Sequence, residues 1–253
     1  MSYLKLIELY TRTSKHSNYQ VLARPLRAII PQDSLNIITR YESERLDYIL
    51  SRYPAKGKVI ADIGGNTGFF TLECAAHGAT AVMYFEGNEA HAEFVREATH
   101  ALNLDKVVTV FTRYINFRDN FNCQVDACLL LNVLHHIGDD YGDAALSRDE
   151  AKKEILESLS YLSRKAKMLI FQLGFNWKGD CSLPLFEQGT KEELIEFIQK
   201  GIVVDWDILN IGIAHRTGNC IEYQELNEAN IQRNDQLGEF LNRPLFVMRS
   251  KNL

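Results

Sequence analysis

Residues 58–68, KVIADIGGNTG, place a glycine-rich turn directly after a short apolar run. The residues that follow, FFTLECAAHG, carry apolar side chains at helical spacing and end in Gly78, which is typical of a helix terminus. A strand, a glycine turn and a helix in this order are typical of the ligand-binding end of a parallel α/β sheet. The stretch therefore predicts the fold class, and its glycine spacing restricts the ligand.

Short apolar runs and helical patterns alternate along the rest of the chain, which predicts a mostly parallel sheet. Capping-box sequences mark two later helix starts, SRDE at 147–150 and TKEE at 190–193. The last two apolar runs have no helical pattern between them and predict an antiparallel pair at the sheet edge. Seven strands are expected, at residues 58–64, 80–87, 106–112, 125–133, 166–174, 206–214 and 244–250.

Length and charge predict one globular unit in which residues 1–57 form an N-terminal helical extension or cap and residues 58–253 the main domain. Residues 1–58 carry ten Lys or Arg against five Asp or Glu, whereas the remainder carries 18 against 28. General nucleic-acid binders are usually basic overall, so no nucleic-acid partner is expected. The basic segment still permits a local anion site.

The same composition predicts a cytoplasmic protein. No run approaches the roughly 18 apolar residues of a membrane span, so no membrane partner is expected. The N-terminus lacks an apolar segment followed by a small-residue cleavage site, which argues against a secretory signal. Five cysteines without a CxxC pair indicate reduced thiols rather than a disulfide framework or a zinc site.

The glycine spacing fits neither a dinucleotide nor a P-loop. Asn66 and Phe69 stand where the dinucleotide fingerprint needs its second and third glycines, and no Gly-Lys-Ser/Thr follows. The Asp62 carboxylate would repel a pyrophosphate but attract an ammonium or a sulfonium. S-adenosylmethionine offers both cations and no phosphate. Glu86, at the end of the next predicted strand, suits the ribose hydroxyls of such a ligand.

The stretch VIADIGGNTGFFTLECAAHGATAVMYFEGNEAHAEFV, followed by VDACLLLNVLHHI, resembles the class I S-adenosylmethionine-dependent methyltransferases. The resemblance covers roughly residues 41–175. DIGGNTG matches the family motif D/E-x-G-x-x-x-G at Asp62, Gly64 and Gly68, and Glu86 matches the ribose-binding acid. Where many members have an Asp near the adenine, this chain has Arg113 and Tyr114, so adenine contacts are expected from the backbone or from Tyr114.

The resemblance implies an α/β fold with a Rossmann-like, doubly wound, mostly parallel seven-stranded sheet, an antiparallel edge hairpin and an N-terminal helical extension. It implies S-adenosylmethionine as cofactor and S-adenosylhomocysteine as product. The cofactor-binding residues it implies are Tyr41, Asp62, Gly64, Gly65, Asn66, Gly68, Glu86, Gly87 and Asn132.

Two adjacent histidines, His135 and His136, follow the predicted fourth strand and are the candidate catalytic residues. Methyl transfer to a hydroxyl gains from a base that titrates near neutral pH, and histidine is the natural one. We expect His135 to be the base and His136 to fix the loop through a hydrogen bond. The alternative is that both histidines are structural.

Polar and aromatic residues after the fifth predicted strand are candidate acceptor-binding groups. Asn and Trp together suit a polyhydroxylated acceptor, although Trp177 packing the loop onto the sheet is the alternative. Arg24 and Arg27 flank Pro25 and suit a phosphate, the alternative being a solvated basic face. No metal is expected, because two predicted strands end in amides rather than in carboxylates. The candidate substrate residues are Arg24, Arg27, Gln172, Asn176, Trp177 and Lys178.

These expectations combine into a metal-independent O-methyltransferase that acts on a small-molecule acceptor. A hydroxyl of a sugar, nucleotide-sugar or phosphorylated metabolite is favoured, in the style of polysaccharide or capsule biosynthesis. That last step is analogy, since the fold hosts many acceptors. The alternatives are an RNA or protein methyltransferase and a cofactor-binding regulator without turnover.

Overall fold

Strands and helices alternate along the chain in the computed structural model, as the apolar pattern predicts. The structure describes residues 3–12, 19–31 and 35–253. Backbone contacts divide the chain into two compact units, Met1–Tyr114 and Ile115–Leu253. Within the described ranges, no helix combines the length and the apolar character needed to cross a membrane.

The first unit contains three parallel strands in the spatial order β3–β2–β1. The strands are β1 Val59–Ile63, β2 Ala81–Glu86 and β3 Val108–Thr112, and the helices are α1 Tyr3–Thr11, α2 Glu42–Arg52, α3 Phe69–Ala76 and α4 Glu89–Ala101. Helix α3 ends just before Gly78, whose φ of +84° is the left-handed conformation expected of a glycine terminus. Helix α4 begins after Asn88, whose side chain accepts hydrogen bonds from the N–H groups of Ala90 and His91.

The residues before β1 are helical in part. Helix α1 packs on α4 through buried Leu6, Leu9 and Tyr10, and the Tyr10 ring meets Phe94 edge-on at 5.6 Å between centroids. A 3-10 turn at Arg24–Ala28 and helix α2 follow. The predicted boundary at residue 57 stays a prediction, and residues 1–2, 13–18 and 32–34 of the predicted extension lie outside the described residues.

The second unit contains five strands in the spatial order β4–β5–β8–β6–β7. Strands β4 and β5 are parallel, and the other pairs are antiparallel. The strands are β4 Val125–Leu131, β5 Ala166–Gln172, β6 Trp206–Thr217, β7 Cys220–Glu225 and β8 Leu245–Ser250, and the helices are α5 Arg148–Leu162, α6 Lys191–Ile202 and α7 Gly238–Leu241.

The predicted strand count of seven is corrected to eight, and the edge hairpin is β6–β7. Strand β6 runs on to Thr217, and a two-residue turn at Gly218, with φ +60°, leads into β7. The alternation of buried Ile221 and Tyr223 with polar neighbours spans only six residues, so its signal is weak. Strand β8 does pair with β6, but it lies between β6 and β5 because its other edge pairs with β5.

Both capping-box sequences begin helices, but only the first forms the complete box. At α5, the Ser147 hydroxyl accepts from Glu150 N, and the Glu150 carboxylate accepts from Ser147 N at 2.8 Å. At α6, the Thr190 hydroxyl accepts from Glu193 N at 3.2 Å. The Glu193 carboxylate instead accepts from the backbone N–H groups of residues 187–189 and so stabilises the loop before the helix.

Candidate functional site

The glycine loop between β1 and α3 is built on left-handed backbone. Gly64, Asn66 and Gly68 have φ values of 69°, 52° and 74°. Asn is the non-glycine residue that adopts this conformation most readily, which accounts for its place at the centre of the loop. A Cβ on Gly65 would lie 2.6 Å from a ring carbon of Tyr84 and 2.9 Å from Asp62 Oδ2. The loop therefore packs directly on the carboxylate and on β2.

The Asp62 carboxylate is buried at the end of β1, with 3% of the residue exposed. The hydroxyl of Thr71, on α3, donates a hydrogen bond to Asp62 Oδ2 at 2.6 Å. Burial raises the pKa of Asp62 to about 6, against the opposing effect of the Thr71 hydrogen bond and with a further contribution from the charge of Glu86. Among the described residues, no Lys, Arg or His forms an ion pair with Asp62. Ionised Asp62 therefore favours a cationic ligand.

Glu86 fixes the other side of the loop from the end of β2. Its Oε2 accepts from Asn66 N at 2.9 Å and its Oε1 accepts from Asn88 N at 2.8 Å. The hydroxyl of buried Tyr84 donates to the carbonyl of Asn66. The carboxylate thus joins the glycine loop to the start of α4 and stays half-buried at the strand end.

The residues expected near an adenine lie beside Glu86. The Tyr114 ring lies against Gly87, where a Cβ would overlap the phenol, and Tyr114 is 49% exposed. The Arg113 guanidinium lies over the rings of Phe85 and Phe111, 5.5 Å and 5.3 Å from their centroids. Aromatic rings from β2, from β3 and from Tyr114 therefore lie near Glu86 at this end of the strands. The expectation that Tyr114 contacts the adenine stays a prediction.

The N-terminal candidates make contacts within the first unit. Tyr41 precedes α2 with φ +56°, and its N–H donates to the Thr39 hydroxyl at 3.0 Å. Arg24 forms an ion pair with buried Glu73 of α3, with Nε 3.1 Å from Oε2, and Arg27 Nε donates to the carbonyl of Leu22 at 3.0 Å. The predicted phosphate contacts of the two arginines stay predictions, and each arginine already has a partner on the protein.

In the second unit, the amides at the ends of β4 and β5 belong to a partly buried hydrogen-bond network. Asn132 Nδ2 donates to Gln172 Oε1 at 2.9 Å, and Gln172 Nε2 donates to the carbonyl of Arg243 at 2.9 Å. Arg243 Nη1 donates to Asn132 Oδ1 at 2.8 Å, and its guanidinium also pairs with Glu239. Glu239 Oε1 in turn accepts from Phe175 N at 3.0 Å. The segment before β8 therefore holds both strand ends.

The two histidines have different surroundings, although their ring centroids are 4.2 Å apart. His135 is 1% exposed, and its Nδ1 accepts a hydrogen bond from Gly174 N at 3.3 Å. His136 keeps 16% of its side chain exposed, with Nδ1 3.3 Å from Asp140 Oδ2 and 4.0 Å from Asp139 Oδ2. A neutral imidazole that accepts at Nδ1 carries its proton on Nε2. His136, in contrast, has carboxylates beside Nδ1.

His136, Asp139 and Asp140 also bring one ligand atom each to within 4.8 Å of one another. Imidazole and carboxylate are common ligands of divalent cations. Of the residues that the structure describes, this is the group with metal-like spacing. The spacing is also what a histidine base with supporting carboxylates requires.

The loop after β5 carries the remaining candidates. The Trp177 indole is 8% exposed, and its Nε1 donates to the carbonyl of Ile137 at 2.7 Å. The Lys178 ammonium lies 4.4 Å from the centroid of that indole, and its Nζ donates to Ala144 O at 3.5 Å. Asn176 is half-buried, and its side chain makes no hydrogen bond to the described residues. Trp177 thus anchors the loop, and Asn176 keeps a carboxamide available.

Solved structures identify the fold. A structure of WbdD matches with a TM-score of 0.61 and 16% identity, over 98% of this chain and 41% of that chain. A second WbdD structure gives a TM-score of 0.56 at 16% identity, over 96% of this chain and 46% of that one. PH1948 of Pyrococcus horikoshii, a candidate RNA methyltransferase, gives 0.50 at 14% identity, over 98% of both chains. The chain has the class I methyltransferase fold.

At these identities the similarity is one of fold alone. The chain spans less than half the length of the WbdD chains that it matches. No protein-family model matches the sequence, and no curated protein matches it either.

The sequence patterns did not identify four residues that support the strand ends and the glycine loop, namely Thr71, Gln20, Glu239 and Arg243. Thr71 is the nearest of them in the chain, since it bonds the Asp62 carboxylate across nine residues. Gln20, Glu239 and Arg243 carry no local signal. Their contacts join residues 40 or more positions apart in the chain, and no periodic pattern reports such pairs.

Proposed function

We propose that this protein is an S-adenosylmethionine-dependent methyltransferase. The observation that carries the proposal is the buried Asp62 carboxylate, which has a hydroxyl donor but no cation of the described residues beside it. An ionised carboxylate in such a place is costly unless a ligand supplies the positive charge. The ammonium of S-adenosylmethionine supplies it, and the ligand has no phosphate for the carboxylate to repel.

The rest of the cofactor is accommodated by the same unit. Glu86 accepts from the ribose hydroxyls, and its two existing bonds to Asn66 N and Asn88 N keep the carboxylate in place. The backbone of residues 64–68 follows the methionine chain, and the Tyr114 ring beside Gly87 contacts the adenine. The family resemblance also implies Tyr41 and Asn132 as cofactor-binding residues.

His136 is the base in this proposal. Its Nδ1 side faces Asp140 and Asp139, and the carboxylates stabilise the imidazolium that forms when Nε2 takes a proton from the acceptor. The lone pair of His135 is already directed to Gly174 N. His135 is thus a positioning residue, with its ring held inside the fold.

The acceptor is a small polar molecule whose hydroxyl takes the methyl group, and sugars, nucleotide-sugars and phosphorylated metabolites are the classes favoured. Asn176 and Lys178 contact it from the loop that buried Trp177 anchors. Gln172 is fully buried with both ends of its amide engaged, so it positions the strand ends instead. In this proposal the reaction is metal-independent, and His136 acts as the base rather than as a metal ligand.

Calorimetry with S-adenosylmethionine and S-adenosylhomocysteine tests cofactor binding, with NAD and ATP as control ligands. We expect the two sulfur ligands to bind and NAD and ATP not to bind. Failure of both sulfur ligands to bind would overturn the proposal. Transfer of a labelled methyl group to a panel of sugars, nucleotide-sugars and phosphorylated metabolites then tests the acceptor class. Tight binding without transfer to any class would favour a non-catalytic regulator.

An RNA methyltransferase is the second candidate, supported by the likeness to PH1948 over 98% of both chains. The excess of acidic residues after residue 58 argues against it, because RNA binding relies on cationic side chains. Labelled transfer to total tRNA and rRNA fragments distinguishes the two. Methylated RNA, together with RNA binding that weakens steeply with salt, would identify the protein as an RNA methyltransferase.

Replacing Gly68 by alanine should lower the affinity for S-adenosylmethionine about tenfold or more. The residue has φ +74°, and a Cβ would lie 2.6 Å from Val95 Cγ2, so the loop must shift. Gly57→Ala is the matched control, since Gly57 has φ +73° with nothing within 4 Å of a Cβ. Calorimetry on both variants should show lost affinity for the first only. Equal affinities would contradict the assigned role of the loop.

A further inference from the structure

The N-terminus of α3 lacks a capping side chain of its own. The residue before the helix is Gly68, held at φ +74° beside Val95, so a Ser, Asp or Asn cannot take its place. The first N–H groups of a helix need acceptors from elsewhere. Helix α3 begins directly after the loop proposed to hold the methionine chain. The conformation of the first turn of α3 therefore constrains the conformation of the loop.

Gln20 supplies the missing acceptor from a position 49 residues upstream. Its Oε1 accepts a hydrogen bond from Phe69 N, the first amide of α3, at 3.1 Å, and another from the Thr67 hydroxyl at 3.2 Å. One carboxamide oxygen thus spans the last turn of the loop and the first turn of the helix. The contact is half-buried, where a hydrogen bond is shielded from competing water.

The segment that carries Gln20 is held on both sides. The Tyr10 hydroxyl, at the buried end of α1, donates to the carbonyl of Gln20. Four residues later, the N–H and Nε of Arg24 both bond the carboxylate of Glu73 on α3. The segment from Gln20 to Arg24 therefore has little freedom to withdraw, and the Gln20 side chain is presented to the loop by fixed backbone.

We infer that Gln20 is a positioning residue for cofactor binding, a remote cap that holds the glycine loop in its ligand-ready conformation. The inference rests on the proposed function. A loop ordered before the ligand arrives loses less conformational entropy on binding, so the cap contributes to the affinity for S-adenosylmethionine. The acceptor and the chemical step do not depend on it.

Gln20→Ala should weaken S-adenosylmethionine binding by about fivefold and at most about 30-fold, the factors that correspond to the typical and the largest cost of losing a helix cap. KM for S-adenosylmethionine should rise accordingly, while kcat at saturating cofactor and KM for the acceptor stay near the wild-type values. Amide hydrogen exchange in the unliganded protein should quicken at residues 67–70. Gln20→Glu keeps an acceptor oxygen at a helix N-terminus, where negative charge is favoured, and should retain affinity within about threefold.

Gln199→Ala is the matched control, since Gln199 is exposed on α6 in the second unit and the same change there should leave affinity unchanged. Wild-type affinity in folded Gln20→Ala, or equal losses in Gln20→Ala and Gln20→Glu, would overturn the inference. A fall in kcat with unchanged KM for the cofactor would overturn it too. Absence of binding to the wild-type protein would instead overturn the proposed function, so the two failures are distinguishable.

Discussion

Asparagine in place of Asp62 should weaken S-adenosylmethionine binding about 100-fold or more, and should also stabilise the unliganded protein at about pH 8. The first effect follows from losing the charge that pairs with the ligand ammonium. The second follows from burial, because the carboxylate is 3% exposed without a cation of the described residues beside it. An amide of the same shape can still accept the Thr71 hydrogen bond through its oxygen.

The raised pKa of Asp62 determines whether the protein gains or loses stability as the pH rises. Burial raises the pKa of Asp62 to about 6 from its ordinary 3.8 in the unfolded chain. The folded protein therefore binds the carboxyl proton more tightly, and ionisation removes stability as the pH rises through this window. A difference of this size corresponds to about 3 kcal/mol at most. The asparagine variant escapes that loss, so its advantage should be largest above about pH 6 and vanish near about pH 4.

Thermal unfolding of both proteins across this range measures the stability, and calorimetry measures the affinity. Wild-type affinity for S-adenosylmethionine should fall by about tenfold per pH unit below about pH 6, because protonated Asp62 no longer pairs with the ammonium. Asp207→Asn is the matched control: Asp207 is partly exposed beside Arg249 on β6 in the second unit, and its loss should leave cofactor affinity unchanged. An Asp62→Asn protein that binds the cofactor like wild type, or that is less stable at about pH 8, would contradict the argument.

Local patterns in the sequence predicted the elements that depend on neighbours in the chain. The glycine loop, the Ser147 capping box and the apolar strands β4 and β5 are examples, because period, cap and turn chemistry lie within a few residues. Asp62 and Glu86 were found in the same way, as acids at the ends of predicted strands.

Features that depend on distant pairing were missed or misplaced. The position of β8 between β5 and β6 is decided by two edges that meet only in the folded chain. Glu193 fits the capping box by sequence, yet its carboxylate bonds the preceding loop, because three N–H groups converge there. Gln20 caps a helix 49 residues away. In each case a tertiary contact overrides or supplements the local rule.

The histidine pair shows the same limit at the scale of one residue. Sequence places His135 and His136 together after β4, and either is a reasonable base. Their partners separate them: Gly174 N for His135 and the carboxylates of Asp139 and Asp140 for His136. Which of the two rings faces a carboxylate depends on the conformation of the turn that follows, and the order of residues in the sequence does not predict that conformation.

His136→Gln should lower kcat by about 100- to 10,000-fold, the usual contribution of a general base, with cofactor affinity unchanged. The amide cannot take the acceptor proton, although its size suits the site. His100→Gln is the matched control, because His100 is exposed on the last turn of α4 and should tolerate the change. Single-turnover rates with labelled cofactor measure the effect. Retained turnover in His136→Gln alongside a folded but inactive His135→Gln protein would transfer the base role to His135.

Asp140→Asn tests whether the Asp140 carboxylate assists His136 as a base or has only a structural role. Removing a carboxylate 3.3 Å from Nδ1 makes the imidazolium less stable, so kcat should fall about tenfold and the acid limb of its pH profile should move to lower pH. A lower rate with an unmoved profile would indicate only a local structural role for Asp140.

A bound divalent cation would use the same three side chains, and Asp139 distinguishes the two chemistries. As a ligand, Asp139 would matter as much as Asp140, since all three ligand atoms lie within 4.8 Å of one another. Beside a base it matters less, because its carboxylate is 4.0 Å from Nδ1 and is the more exposed of the pair. We therefore expect Asp139→Asn to keep kcat within about threefold and dialysis against EDTA to leave the rate unchanged. Loss of activity in both experiments, with recovery on adding Mg²⁺ to the dialysed enzyme, would replace the base by a metal centre.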